Sequence, residues 1–223
     1  MPQRGKTFRL YIRGPNACFT RPEMKVERVS YEVPTPSAMR GVLEAIFWKP
    51  AFRWVIERID VLRPIRWETV KRNEITKKAS PKTKPIYIDE ENDRKQRINR
   101  EIRNALVLKD VAYVIHAHQE LTGKEPEGND LSKLSAMFER RASKGQYFHH
   151  PYLGTREFAV EELGLLSEGE TPPTPVPIDK DLGWMLYDLD FSNPKNPVPL
   201  FFHAKLEQGI LRVPDPRSEE VKR

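Results

Sequence analysis

Strict alternation marks the first stretch of the chain. In TFRLYIRG (Thr7 to Gly14), Phe8, Leu10 and Ile12 point one way, and Arg9, Tyr11 and Arg13 point the other. One face belongs to a core, and the other presents cations around an aromatic ring. RNA-binding sheets look like this, and so do ordinary strands with solvated arginines. The period changes in TPSAMRGVLEAIFWKP, where Met39, Val42, Leu43 and Ile46 recur at helical spacing. Thr35 is the expected N-cap, Pro36 suits the first helical position, and Pro50 stops the run. Phe47 and Trp48 close this helix on a different side from most of its stripe. WVIERIDVLRPIRWETVKRNEI predicts short strands broken at Pro64. From Lys71 to Arg103 the chain is poor in apolar residues and rich in Lys, Arg and Pro, which predicts a mobile basic loop, either solvated or in contact with RNA. VAYVIHAHQEL returns to strand character. NDLSKLSAMFERRASKG reads as a second helix, capped by Asp130, with Leu131, Leu134, Met137 and Phe138 as its stripe and Gly145 past its end. Beyond the proline-rich TPPTPVPID, the runs DLGWMLYDLDF and PLFFHAKLEQGILRVP predict a small antiparallel addition.

This order places the chain in the α+β class, on a ferredoxin-like (RRM-like) βαββαβ plan over residues 1–160, with a small antiparallel β-sheet domain over 161–223. RNA-recognition modules share that plan and bind RNA on the sheet face. Composition fits. Of 223 residues, 38% are hydrophobic and 31% charged, and 38 Lys and Arg against 32 Asp and Glu leave a formal charge of +6. That excess favours a polyanionic partner, with nucleic acid first. Cys18 is the only cysteine, which excludes an internal disulfide and reads as a small packed residue. The first residues lack an apolar signal core, and no run approaches the roughly 20 apolar residues of a membrane span. A cytoplasmic location without membrane contact is expected.

The candidate chemistry centres on VIHAH. Side chains two apart on a strand share a face, so His116 and His118 project together. Histidine exists in both protonation states near neutrality, and such a pair can serve as base and acid. The same pair can also be two imidazoles hydrogen-bonded on a sheet. As half of a metal site it lacks a third ligand, since no CxxC or HExxH run supplies one. Arg21, Lys25 and Arg28, beside Phe19 and Tyr31, combine cations for phosphates with rings for bases, or form a charged loop. Lys49 can reach a phosphate or extend from a helix end. In YLGTREF, Gly154 either admits a phosphate to the backbone beside Arg156 or serves an ordinary turn. His149 and His150 read as surface residues, His203 as packed, and Asp188 and Asp190 as solvated strand positions.

Together, CFTRPEMKVERVSYEVPTPSAMRGVLEAIFWKP, IRWETVKRNEI, DVAYVIHAH and YLGTREF closely resemble the Cas-five proteins of subtype I-C (Dvulg) CRISPR systems, over about residues 6 to 210. The resemblance implies the RAMP superfamily and its ferredoxin-like domain followed by a smaller β-sheet domain. It implies an endoribonuclease that cuts CRISPR precursor RNA at the repeat hairpin, without a metal or other cofactor, through attack of the 2′-hydroxyl. A 2′,3′-cyclic phosphate results, and the protein stays on the crRNA 5′ handle among the other subunits of the type I-C surveillance complex. The family site combines a tyrosine, a lysine and a histidine. Here Phe47 stands at the tyrosine position, His116 at the lysine position and His118 at the histidine position. Phe47 cannot exchange a proton, which leaves base and acid to the histidines. From the chain's own pattern of cations and rings, the RNA-binding residues expected are Arg9, Tyr11, Arg13, Arg21, Lys25, Arg28, Lys49 and Arg156. A subunit that holds the handle without cutting is the alternative.

Overall fold

The computed structural model describes residues 3–75, 100–123 and 130–223. In chain order its elements are β1 (Arg4–Ala17), α1 (Pro36–Ile46), β2 (Phe52–Val61), β3 (Trp67–Ile75), β4 (Arg100–Leu121) and α2 (Leu131–Ser143). They continue with β5 (Glu162–Leu165), β6 (Lys180–Asp190), β7 (Val198–Glu207) and β8 (Ile210–Arg212). The strands form an eight-stranded sheet ordered β5-β1-β4-β2-β8-β7-β6, with β3 paired to the early part of β4. The ladders are antiparallel.

The alternation of TFRLYIRG decides which face is covered. Phe8, Leu10 and Ile12 are buried beneath the helices. Phe138 of α2 meets Phe8 edge-on at 4.8 Å and Trp54 of β2 at 4.7 Å, geometries that aromatic quadrupoles favour. α1 buries Met39, Val42, Leu43 and Ile46 on the same side and packs on both β2 and β6. The sheet therefore curls around α1, and Met185, Tyr187 and Phe202 of the C-terminal strands share one core with Phe8 and Leu10.

The caps form as expected. Thr35 Oγ1 accepts from the Ala38 amide at 3.2 Å, and Asp130 Oδ1 accepts from the Lys133 amide at 2.8 Å. α1 ends at Ile46, however, well before Pro50. Phe47 is extended (φ −156°, ψ 124°), so that its ring stacks on Phe52 at 5.5 Å while the Trp54 indole donates to its carbonyl at 3.0 Å. The basic stretch from Lys71 to Arg103 is not a loop at its ends. β3 runs to Ile75 and β4 starts at Arg100, paired from Lys71↔Asn104 to Ile75↔Arg100. Cross-strand ion pairs such as Arg103–Glu74 at 3.7 Å accompany this polar ribbon. Residues 76–99, the rest of the expected mobile segment, lie outside the described residues. Among the described residues no helix is long and apolar enough to cross a membrane.

Candidate functional site

Residues opposite one another across an antiparallel ladder share a face. In β1 and β4 the pairs are Thr7↔His118, Arg9↔His116 and Tyr11↔Val114. Both histidines therefore project from the face turned away from the helices, beside the polar side of TFRLYIRG. On the other flank of β4, β2 contributes Val55↔His118 and Arg58↔His116, with a bulge between Ile56 and Arg58. The extra residue changes which side chains of IERID face the core. It leaves Ile59 on the helix side and turns Arg58 and Asp60 toward His116.

Asp60 is fully buried, and His116 Nε2 lies 2.9 Å from its Oδ2. Burial alone would push the Asp60 carboxyl up, but hydrogen bonds from His116 and Arg58, with their charge, outweigh it and hold the group below the usual carboxylate range. An ionised carboxylate only accepts, so His116 Nε2 donates to Asp60. The Arg58 guanidinium closes the group with a 3.0 Å bond to Asp60 Oδ2.

His118 lies between carboxylates. Its Nδ1 is 2.9 Å from Glu57 Oε1 and its Nε2 is 3.5 Å from Glu120 Oε1. Neither ring nitrogen is aligned as a hydrogen bond. Burial acts to raise the Glu120 carboxyl, yet Arg53, Arg217 and His118 together draw it below its ordinary range. Arg53 grips Glu120 Oε2 through two nitrogens at 3.0 and 2.7 Å, and Arg217 reaches Oε1 at 2.8 Å. Glu57 accepts from Thr7 at 3.0 Å and from Arg4.

Phe47 is not part of this group. It is buried in the helix-side core, stacked on Phe52, on the opposite side of the sheet from His116 and His118. Lys49 lies near it, with Nζ 6.0 Å from the ring centroid. Of the expected RNA contacts, Arg9 and Tyr11 flank the histidines on the shared face. Arg9 donates to the Ser167 and Glu170 carbonyls. Burial and the charge of Glu162 push the Tyr11 hydroxyl up, which keeps it protonated. Arg13 is tied to Glu162 at 2.9 Å. Elsewhere, Arg21 stacks over Tyr31 at 4.7 Å, and Arg28 pairs with Glu157 at 3.1 Å. Lys25 and Arg156 are exposed. Gly154 (φ +86°) approaches the chain itself, and a Cβ there would lie 2.1 Å from the Cys18 carbonyl oxygen. Cys18 is buried, which raises its thiol.

Sequence reading missed Asp60, Arg58, Glu57, Glu120, Arg53 and Arg217. The run IERID carried a signal, two acids and an arginine in an otherwise apolar strand, but the bulge that aims them is invisible to a period of two. Arg217 comes from a tail with no periodicity at all.

The family model described as CRISPR-associated protein (Cas_Cas5) matches residues 7–214. The CRISPR pre-crRNA endoribonuclease Cas5d of Mannheimia succiniciproducens is 48% identical over 230 residues, covering 97% of this chain and 98% of that protein. A protein of the same description from Thermus thermophilus is 43% identical over 234 residues, covering 97% and 95%. Among solved structures, one described as a CRISPR-associated protein superposes with TM-score 0.71 at 22% identity, covering both chains completely. A chain of a CRISPR RNA-guided surveillance complex superposes with TM-score 0.53 at 16% identity, covering 94% of this chain and 90% of that one. At these identities the structural matches speak for the fold.

Proposed function

This chain belongs to the CRISPR-associated Cas5 family, as a protein of Cas5d type, and from that premise we propose that it is a pre-crRNA endoribonuclease and a subunit of a CRISPR RNA-guided complex. The observation that carries the reading is its 48% identity, across nearly the whole of both chains, to a curated pre-crRNA endoribonuclease. The strand order β5-β1-β4-β2, with both helices on one face, supports a ferredoxin-like unit. The strands after the proline-rich connection then form the smaller addition. The partners that follow are the repeat hairpin of CRISPR precursor RNA, the crRNA 5′ handle and other subunits of a type I-C surveillance complex.

For the chemistry, the face holding His116 and His118 supports internal attack. The 2′-oxygen bonds to the adjacent phosphorus and the bond to the 5′-oxygen breaks, leaving a 2′,3′-cyclic phosphate and a 5′-hydroxyl. Nucleophile and phosphorus are tethered, so holding them in line supplies much of the rate. His116 Nδ1, with Nε2 held by Asp60, takes the 2′ proton. His118 provides the second titratable group for the leaving oxygen, and Arg9 and Arg58 bring positive charge to the phosphate.

The test is single-turnover cleavage of the repeat RNA in EDTA, beside a substrate with 2′-deoxyribose at the scissile nucleotide. Cutting at one site that is lost with the deoxy sugar is expected, and His116→Ala and His118→Ala should each slow it by about 10²–10⁴-fold. Unchanged rates in both variants would remove the histidines from the mechanism, and tight binding without cutting by the native chain would leave a handle-binding subunit.

A further inference from the structure

A second surface lies away from the histidine face, where the C-terminus of α1 meets the loop after α2. The segment from Arg140 to Arg156, RRASKGQYFHHPYLGTR, contains no carboxylate. It holds cations at Arg140, Arg141, Lys144 and Arg156, and between them the rings of Tyr147, Phe148, His149, His150 and Tyr152. Solvent-facing rings are costly, and here several gather at one place. Phe148 is 87% exposed and Tyr147 44%, while Trp48, just beyond α1, is 53% exposed.

The rings stand on a braced loop. The Phe148 amide donates to the Ala45 carbonyl of α1 at 2.7 Å, which ties the loop to the helix end that carries Trp48 and Lys49. On the α2 side, Gln146 N–H bonds the Arg141 carbonyl at 2.9 Å as Gly145 turns at φ +62°. Downstream, the Leu153 carbonyl accepts from the Cys18 amide at 3.0 Å, and Gly154 presses on the Cys18 carbonyl. Neighbouring rings support one another. Tyr147 and His150 lie 4.9 Å apart, and His149 stacks on Tyr152 at 6.1 Å with an interplanar angle of 28°. None of Lys49, Arg140, Arg141 and Lys144 pairs with a carboxylate among the described residues. Cations left without such partners among the described residues suit a phosphate chain rather than an apolar protein partner.

We propose that this braced aromatic loop, together with Trp48, is a stacking platform for single-stranded RNA, with Phe148 and Tyr147 as base-stacking residues and Lys49, Arg141 and Lys144 as phosphate contacts. The proposal deepens the endoribonuclease reading and rests on it for the identity of the RNA. Every base has a π-face, so such a platform grips the strand without reading sequence. It fixes the single-stranded flank of a repeat while other contacts select the hairpin.

The test measures binding and cutting separately. Fluorescence anisotropy with a fluorescein-labelled single strand from the repeat flank should show affinity falling about tenfold for Phe148→Ala and further for Tyr147→Ala/Phe148→Ala, with Phe148→Trp close to native. The salt slope should be unchanged by the ring variants and reduced by Lys144→Ala. The rings are exposed, so thermal melting of these variants should match the native chain. Affinity within twofold of native in the double variant would overturn the platform, and loss of co-purifying complex subunits at unchanged RNA affinity would do so in favour of a protein-docking surface. Cleavage of the repeat RNA is followed on the same samples at saturating enzyme. A native chain that does not cut, with binding still lost in the double variant, would overturn the nuclease reading and keep the platform.

Discussion

Phe47 shows how much one side chain's chemistry depends on which side of a sheet it occupies. Its ring is buried and stacked on Phe52, and its carbonyl serves the Trp54 indole. It works in packing. Phe47→Leu should therefore leave single-turnover cleavage within a few-fold of native, whereas Phe47→Ala should cost about 3–5 kcal/mol of stability by leaving a cavity. Chemical denaturation and the cleavage assay together check this, and a large rate loss in the leucine variant would place the ring at the substrate. His116 is the contrasting case. The sequence made its pairing with His118 on one strand face legible, because alternation is a local property. Its partners Asp60 and Arg58 were hidden, since they reach it only through a bulge in another strand.

At the scale of elements, local signals account for most of what formed. Thr35, Pro36 and Asp130 stand where helix termini need them, and the apolar stripes of both helices are the faces that became buried. The same logic orders three substitutions by thermal melting. Thr35→Ala should cost about 1 kcal/mol through the lost cap. Gly41→Ala should add about 0.5–1 kcal/mol, because Gly41 sits exposed within α1 with nothing near its missing Cβ. Gly154→Ala should be the most damaging, since its φ of +86° and the Cys18 carbonyl 2.1 Å away both exclude a side chain. Comparable melting points for Gly154→Ala and native chain would show that this turn can yield. The two ends of the stretch from Lys71 to Arg103 misled for a physical reason. A ribbon stem without a core face alternates charge with charge and carries no hydrophobic period, although its ladder is complete from Trp67 to Ile75.

Across the whole molecule, the chain returns at its end to the strand that carries the histidines. Arg217 binds Glu120 at 2.8 Å and Asp215 at 3.0 Å, and its hydrogen bonds hold the Asp215 carboxyl down to about 2. Both carboxyls are depressed in the folded state. Their stabilisation is present above the ordinary carboxylate range and is lost as pH falls through the folded values. Arg217→Ala brings those values back toward the ordinary range, so stability at neutral pH should fall while the further loss on acidification becomes smaller than in the native chain. Melting temperatures followed from neutral to acid pH check this; superimposable profiles would show that Arg53 alone keeps Glu120 ionised. By itself the sequence determined the order of strands and helices, their caps, the buried stripe of each and the shared face of His116 and His118. These follow from periods of two and 3.6 residues within a single element. Only the tertiary structure decided that Phe47 lies across the sheet from those histidines, that Asp60 orients His116, and that the loop after α2 is tied to the end of α1. Such relations arise from pairing register, a bulge and the curl of the sheet, which join residues far apart in the chain and leave no local pattern.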